Sequence, residues 1–474
     1  MLQNLAPTDG ALSRVEQVMD AIRRRIAART LQSGAKLPSI RKCAASFSVS
    51  PSTVVEAYER LAAEGLIRAR PGSGFYVSGA QPPLVLAELG PRLDRAVDPF
   101  WVSRQSLEAD AAVLKPGCGW LPASWMPQED LRRGLRALSR GTDDEVANYG
   151  TPLGLLPLRQ WLSRRMAETG IDAAPDRILL TDSGSQALDL ICRFFLEPGD
   201  TVLVDDPCYF NFLALLRAHR VKIVGVPYTP VGPDLEAFER AIAEHAPRLY
   251  ITNSAIHNPT GATFSPVTAH RLLRLSENSK LTIVEDDIFG DFEHEAAPRL
   301  AAFDGLDRVI QIGSFSKTLS AAARIGYFAA RPEWIEGLLD LKIASTFAGA
   351  ALSQQLALSI LKDGSYRRHM NALRPRLAAA MGETIRRLAP LGITPWIEPR
   401  GGMLLWCRLP EGLDAAELAR HAIREDVVLA PGNVFSVGQR FPGYMRFNVS
   451  QSTDPRVFAV LERAMQHATT TNLE

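Results

Sequence analysis

Leu12, Val15, Met19, Ile22 and Ile26 recur at helical spacing, with Arg23, Arg24, Arg25 and Arg29 mostly around the other faces. This pattern predicts an amphipathic helix. The segment LQSGAKLP breaks it with Gly34 and Pro38. Residues 39–47 predict a second, short helix, and VSPSTVVEAYERLAAEG predicts a third. Ser50 suits its N-cap, Pro51 its first turn and Gly65 its C-terminal cap. Val54, Ala57, Tyr58 and Leu61 fall on one face, the one expected to be buried. LIRARPGSGFYV then reads as two short strands joined by a glycine-rich turn. Three helices and a hairpin within residues 1–79 predict a winged helix-turn-helix.

Residues 80–115 are rich in proline and weakly periodic, and read as a linker with one short helix near Trp101. From residue 116 to 474, helical stretches alternate with the apolar runs RILLTD, TVLVDD, VKIVGVP, RLYITN, LTIVEDD and VIQIG. Six such runs predict a large α/β domain whose mostly parallel sheet is covered on both faces. After Arg331, two long helical stretches and the runs GGMLLWCRLP and VVLAPGNVFSV predict a small α+β C-terminal domain.

Charge changes the picture only when it is divided along the chain. The whole sequence has a formal charge of +1, yet residues 1–79 hold 11 Lys and Arg against 6 Asp and Glu. A basic head on a mildly acidic body is the distribution expected if the head alone meets phosphates. No basic segment followed by an apolar run opens the chain, and no stretch is long and apolar enough to span a bilayer, so a cytoplasmic protein is expected. The five cysteines are scattered with no CxxC pair, which argues against a disulfide framework or a zinc site.

In the head, Ser50, Ser52 and Thr53 place hydroxyls at the start of the expected recognition helix, where base edges and phosphates come closest. Arg41, just after Pro38 and Ser39, is placed to reach a backbone phosphate. The turn Arg70-Pro71-Gly72-Ser73-Gly74 carries little bulk and can approach a groove. Ser39 and Ser50 also read simply as helix caps. LPSIRKCAASFSVSPSTVVEAYERLAAEGLIRARPGSGFYV resembles the GntR-type winged helix across nearly the whole head. One departure is Pro51, where that family often has arginine.

In the body, a strand runs into Ser314-Phe315-Ser316-Lys317, with Arg324 seven residues on. An aldehyde cofactor needs one amine for a Schiff base, and its phosphate needs hydroxyls and a guanidinium nearby. Asp286 ends the apolar run LTIVED, where ligands gather in open α/β sheets. A carboxylate there can keep a pyridine nitrogen protonated; it can equally cap a helix. Asn258, in the turn NPTG, can donate to a phenolic oxygen. Ser183, Gly184 and Ser185 precede a helix and can form a phosphate cup. Tyr209 can lay its ring against a cofactor, and Arg446, in GYMRFNVS, can take a carboxylate in a bidentate pair.

In order and spacing these pieces resemble the class I aminotransferases of PLP fold type I. The resemblance implies pyridoxal 5′-phosphate bound to Lys317, with Asp286 at the ring nitrogen, Asn258 at the phenolic oxygen and Tyr209 stacked on the ring. It implies Ser183, Gly184, Ser185, Ser314, Ser316 and Arg324 around the phosphate, and Arg446 on an α-carboxylate. Tyr149, in NYGTPLG, matches a tyrosine that crosses to the partner subunit's phosphate, so a homodimer is implied. Aminotransferases usually carry tyrosine two or three residues after the ring-nitrogen Asp; here Ile288 and Phe289 stand there.

Head and body together resemble the MocR subgroup of GntR regulators. That resemblance implies a bacterial, DNA-binding transcription regulator that senses PLP or an amino compound forming an imine with it. Two alternatives stay open on the residues: a working aminotransferase with an accessory head, and a repressor whose body is only a dimerisation scaffold.

Overall fold

The computed structural model describes residues 13–27, 31, 34–78, 99–110 and 112–471. Leu12, Arg29 and the linker stretch 80–98 lie outside the described residues. The chain divides into two compact units, Met1–Glu88 and Leu89–Glu474.

The first unit holds α1 (Arg14–Ala27), α2 (Ile40–Phe47), α3 (Pro51–Ala63) and an antiparallel hairpin of β1 (Ile67–Arg70) and β2 (Gly74–Val77). Side-chain caps start α2 and α3. Ser39 Oγ accepts the Lys42 N–H at 3.4 Å, and Ser50 Oγ accepts the Thr53 N–H at 3.2 Å. On α3, Val54, Ala57, Tyr58 and Leu61 are the buried residues. They meet Val18, Met19 and Ile22 of α1 in one core. Val18 is not part of the expected stripe, whose centre is displaced by about one residue, leaving Val15 and Ile26 at its edges. The Tyr58 hydroxyl donates to the Pro38 carbonyl at 2.9 Å, which ties the buried face of α3 to the segment preceding α2.

The second unit is built on an eight-stranded sheet. Its strands are β3 (Ile178–Thr181), β4 (Thr201–Asp206), β5 (Lys222–Thr229), β6 (Gly232–Pro233), β7 (Leu249–Thr252), β8 (Thr282–Asp286), β9 (Val309–Ser314) and β10 (Gly326–Ala329). Their order is β3-β10-β9-β8-β7-β4-β5-β6. The strands β4, β5, β7, β8 and β9 pair in parallel, while β10 is antiparallel to both β3 and β9. Residues of β3, β7 and β9 are buried throughout, as expected for strands covered on both faces. Strand β10 is not among the six expected runs. Its four residues are too few to carry a period, and one of its two partners, β3, lies far earlier in the sequence.

A second, four-stranded sheet contains β11 (Thr394–Pro395), β12 (Leu404–Arg408), β13 (Ala430–Pro431) and β14 (Tyr444–Asn448), in the order β11-β12-β14-β13. Arg446 sits on β14, paired with Trp406 and Ala430. Part of the stretch read as linker belongs to this second unit. Helix α4 (Pro99–Glu108) buries Val102 in a cluster with Phe210, Trp406 and Phe435, and Leu114 bridges to Val427. No single helix among the described residues is long and apolar enough to cross a membrane.

Candidate functional site

A cavity of about 660 Å³ opens beyond the C-terminal ends of the parallel strands. It is the position at which open α/β sheets bind ligands. Asp286 ends β8, Ser314 ends β9, Tyr209 follows β4, Asn258 lies beyond β7 and Ser183 follows β3. Lys317, Ser316, Arg324, Gly184, Ser185 and Arg446 complete the set, so eleven sequence-predicted residues line one cavity. Tyr149 does not join them: it is 83% exposed and stacks on Phe347 with ring centroids 5.6 Å apart.

Each residue is held by its local structure. Ser183 caps the helix Gly184–Phe195, its Oγ accepting the Gln186 N–H at 3.0 Å, which aims the free N–H groups of the first turn into the cavity. Gly326 permits this turn, because a Cβ there would sit 2.3 Å from the Ser183 carbonyl carbon. The Ser314 hydroxyl donates to the Ile325 carbonyl at 2.8 Å and accepts the Ser316 N–H at 3.2 Å, closing the loop that presents Lys317. Arg324, the residue before Ile325, adopts φ +51. A left-handed arginine costs about 1–2 kcal/mol, and such strain clusters at ligand sites.

Glu285 and Asp286 point to opposite sides of β8. Glu285 accepts the N–H groups of Leu300 and Ala301 at 2.7 and 2.9 Å, anchoring the strand end to a helix start. Asp286 faces the cavity, its Oδ1 accepting the Ile288 N–H at 3.1 Å. Burial pushes the Asp286 carboxyl up to about 7, against the opposing pull of the Ile288 N–H. Asn253, a neighbour that sequence reading missed, donates to the Asp286 carbonyl at 2.8 Å.

Lys317 Nζ lies 6.0 Å from the Trp120 ring centroid, and burial draws its ammonium down to about 8. Arg446 is buried. Its Nη1 donates to Asn258 Oδ1 at 2.8 Å and its Nη2 to the Gly117 carbonyl at 2.6 Å, while Nε has no partner among the described residues. No carboxylate among the described residues pairs with this guanidinium, and burial lowers it to about 10. With Oδ1 of Asn258 engaged by Arg446, its Nδ2 is the group left to donate. Ile288 and the buried Phe289 also line the cavity and present no hydroxyl. Cys118, Trp120, Lys115 and four residues of α4 were not legible as cavity residues, since no motif marks them.

In the head, Arg41 is exposed at the first turn of α2, as are Ser52 and Arg70 in their own elements. Ser50 Oγ lies 2.8 Å from both Ser52 Oγ and Thr53 Oγ1, so the three hydroxyls form one cluster at the start of α3. The Arg70 guanidinium stands 4.5 Å from the Tyr76 ring centroid, and Ser73 Oγ lies 2.6 Å from the Tyr76 hydroxyl. Gly72 and Gly74, at φ +69 and +102, close the turn between them.

Fold and cavity define a PLP fold type I, aminotransferase-like body carried by a chain with a winged helix-turn-helix. Residues 121–463 match the family "Aminotransferase class I and II", and residues 14–77 match "Bacterial regulatory proteins, gntR family". The chain is 32% identical over 451 residues to the HTH-type transcriptional regulator YdcR of Escherichia coli (strain K12), covering 93% of this chain and 95% of that one. It is 27% identical to the HTH-type transcriptional regulator NorG of Staphylococcus aureus, covering 84% and 92%. Among solved structures it is similar to the α-aminoadipate aminotransferase LysN of Thermus thermophilus, complexed with N-(5′-phosphopyridoxyl)-L-leucine. That similarity has a TM-score of 0.71 and 27% identity over 78% of this chain and 95% of that one. It is also similar to a Pyrococcus horikoshii kynurenine aminotransferase in complex with PMP (TM-score 0.72, 25% identity, 80% and 96% covered). The chain thus belongs to the GntR-family HTH-type transcriptional regulators with an aminotransferase class I and II domain, the MocR-like architecture.

Proposed function

We propose that this regulator binds pyridoxal 5′-phosphate on Lys317, senses an amino compound that reacts with it, and converts that event into a change in DNA binding. One observation carries the reading. A half-buried amine (Lys317), a half-buried carboxylate with no ion-pair partner among the described residues (Asp286) and a buried guanidinium with no carboxylate among the described residues (Arg446) converge in a cavity of about 660 Å³. A purely structural scaffold gains nothing from drawing three such groups out of bulk water without partners, since each costs desolvation free energy until a complementary ligand arrives.

The residues fit the cofactor. When bound, PLP supplies an aldehyde that condenses reversibly with a primary amine. The lowered Lys317 makes a neutral, nucleophilic amine accessible near neutral pH. The raised Asp286 is poised to share a proton with the ring nitrogen. Asn258 Nδ2 would donate to the phenolic oxygen and Tyr209 would cover the ring. The helix start at Ser183-Gly184-Ser185, with Ser314, Ser316 and Arg324 near it, takes the phosphate. Arg446, already oriented by Asn258 and Gly117, takes a carboxylate through its remaining N–H groups. Tyr149, exposed on one protomer, reaches the phosphate site of a second copy in a homodimer. Ile288 and Phe289 carry no group that would donate to the phenolic oxygen, so turnover is expected to be slow relative to ligand capture.

Ser50, Ser52, Thr53, Arg41, Ser39 and the wing residues Arg70, Gly72, Ser73 and Gly74 contact the DNA duplex. Reconstitution of the purified protein with PLP tests the reading. The expected result is visible absorbance of the lysine-linked cofactor, trapped by borohydride and abolished by Lys317→Ala with the fold intact. An unchanged, reducible band in that variant overturns the assignment.

A further inference from the structure

The charges lining the cavity do not balance. Four cations, Lys115, Lys317, Arg324 and Arg446, face it, and among the described residues Asp286 is the one carboxylate that does. The proposed cofactor engages three of these five groups: its aldehyde takes Lys317, its phosphate takes Arg324 and its ring nitrogen takes Asp286. Arg446 and Lys115 are left over. Arg446 has no carboxylate partner among the described residues and carries an unpaired Nε. Lys115 Nζ donates to the carbonyl of Ala109, the residue after α4, at 3.0 Å, and pairs with no carboxylate among the described residues. On α4, Ser106 also lines the cavity; it is 2% exposed, and its Oγ has no hydrogen-bond partner among the described residues.

A buried hydroxyl without a partner is unfavourable, and an unpaired cation facing a cavity attracts an anion. Arg446, Lys317, Lys115 and Cys118 all line this one cavity. We infer that the effector is an amino acid with a second anionic group. Its α-carboxylate rests on Arg446, and its distal carboxylate rests on Lys115 and the Ser106 hydroxyl. This rests on the proposed function and deepens it: the distal group grips the C-terminal end of α4, the first described element after residues 80–98, which join body to head.

Isosteric pairs separate charge from shape. The full-length, PLP-loaded protein is titrated with L-glutamate against L-glutamine and with L-aspartate against L-asparagine. Binding is followed by calorimetry and by the visible absorbance of the lysine-linked cofactor. At least one acid is expected to bind about tenfold or more tightly than its amide, the ratio set by one charge-assisted hydrogen bond. Lys115→Gln is expected to erase that ratio while amide binding persists, and Lys115→Arg to retain it. Ser106→Ala is expected to weaken the acid more than the amide. Equal affinities within both pairs, or a preference surviving Lys115→Gln, overturn the inference while leaving cofactor binding intact. Absence of lysine-linked absorbance from the loaded protein instead overturns the proposed function, and this inference with it.

Discussion

Replacing Asp286 with asparagine should stabilise the cofactor-free protein, and by an amount that depends on pH. The carboxyl is raised from 3.8 to about 7, chiefly by burial. Between those values the unfolded chain has released the proton and the folded chain still holds it. Stability therefore falls as pH rises from about 4 to about 7 and levels off above. A shift of about three units corresponds to about 4 kcal/mol at most, an upper bound because Asp286 faces a cavity that water can enter. The asparagine side chain removes this dependence while keeping a group that can accept the Ile288 N–H. The gain of Asp286→Asn over wild type, measured by chemical denaturation without PLP, should be about 2 kcal/mol larger at pH 8 than at pH 5.5. With PLP bound the order should reverse, because only the carboxylate can pair with a protonated ring nitrogen. A gain equal at both pH values, or a less stable variant at pH 8, would refute the view that Asp286 is held in the free protein at the expense of stability.

Arg41→Ala should weaken binding to all duplex sequences alike and flatten the salt dependence by about one released ion, read by fluorescence anisotropy at several salt concentrations. Unaltered affinity and slope would make Arg41 a structural group. Tyr58→Phe leaves the half-buried Pro38 carbonyl without its hydroxyl donor and should cost about 1 kcal/mol in the head, measured by denaturation and accompanied by weaker DNA binding. Amino acids should displace the lysine-linked absorbance rapidly yet yield keto acid slowly or not at all, a contrast that Ile288→Tyr should diminish.

The residues legible in the sequence are those whose role is local. The caps Ser39 and Ser50 and the face of Val54, Ala57, Tyr58 and Leu61 follow from helical period and capping chemistry, both contained within a dozen residues. Asp286, Ser314 and Lys317 were legible because each ends or follows an apolar run, and in this topology the ends of parallel strands converge. Strand β10 was hidden, since its existence depends on pairing with Thr181 on one side and Ser314 on the other. The same holds for the cavity wall contributed by α4 and residues 115–120. The Gly117 N–H reaches the Val428 carbonyl at 2.9 Å, and the Asn448 N–H reaches the Pro116 carbonyl at 2.6 Å, so partners about 300 residues away position that wall. Lys115 and Ser106 carry no pattern of their own. Their significance is visible only once the cavity's charges are summed.

The most direct test joins ligand to DNA in one experiment. PLP-loaded protein is bound to the duplex upstream of its own gene, and affinity is followed while candidate amino acids are added, with keto acid measured in the same sample. Wild-type affinity should change severalfold with an effective amino acid and little keto acid should form. Lys317→Ala should bind the duplex and ignore the amino acid. Sustained transamination with DNA affinity unmoved by substrate would contradict the sensor and establish an enzyme in its place.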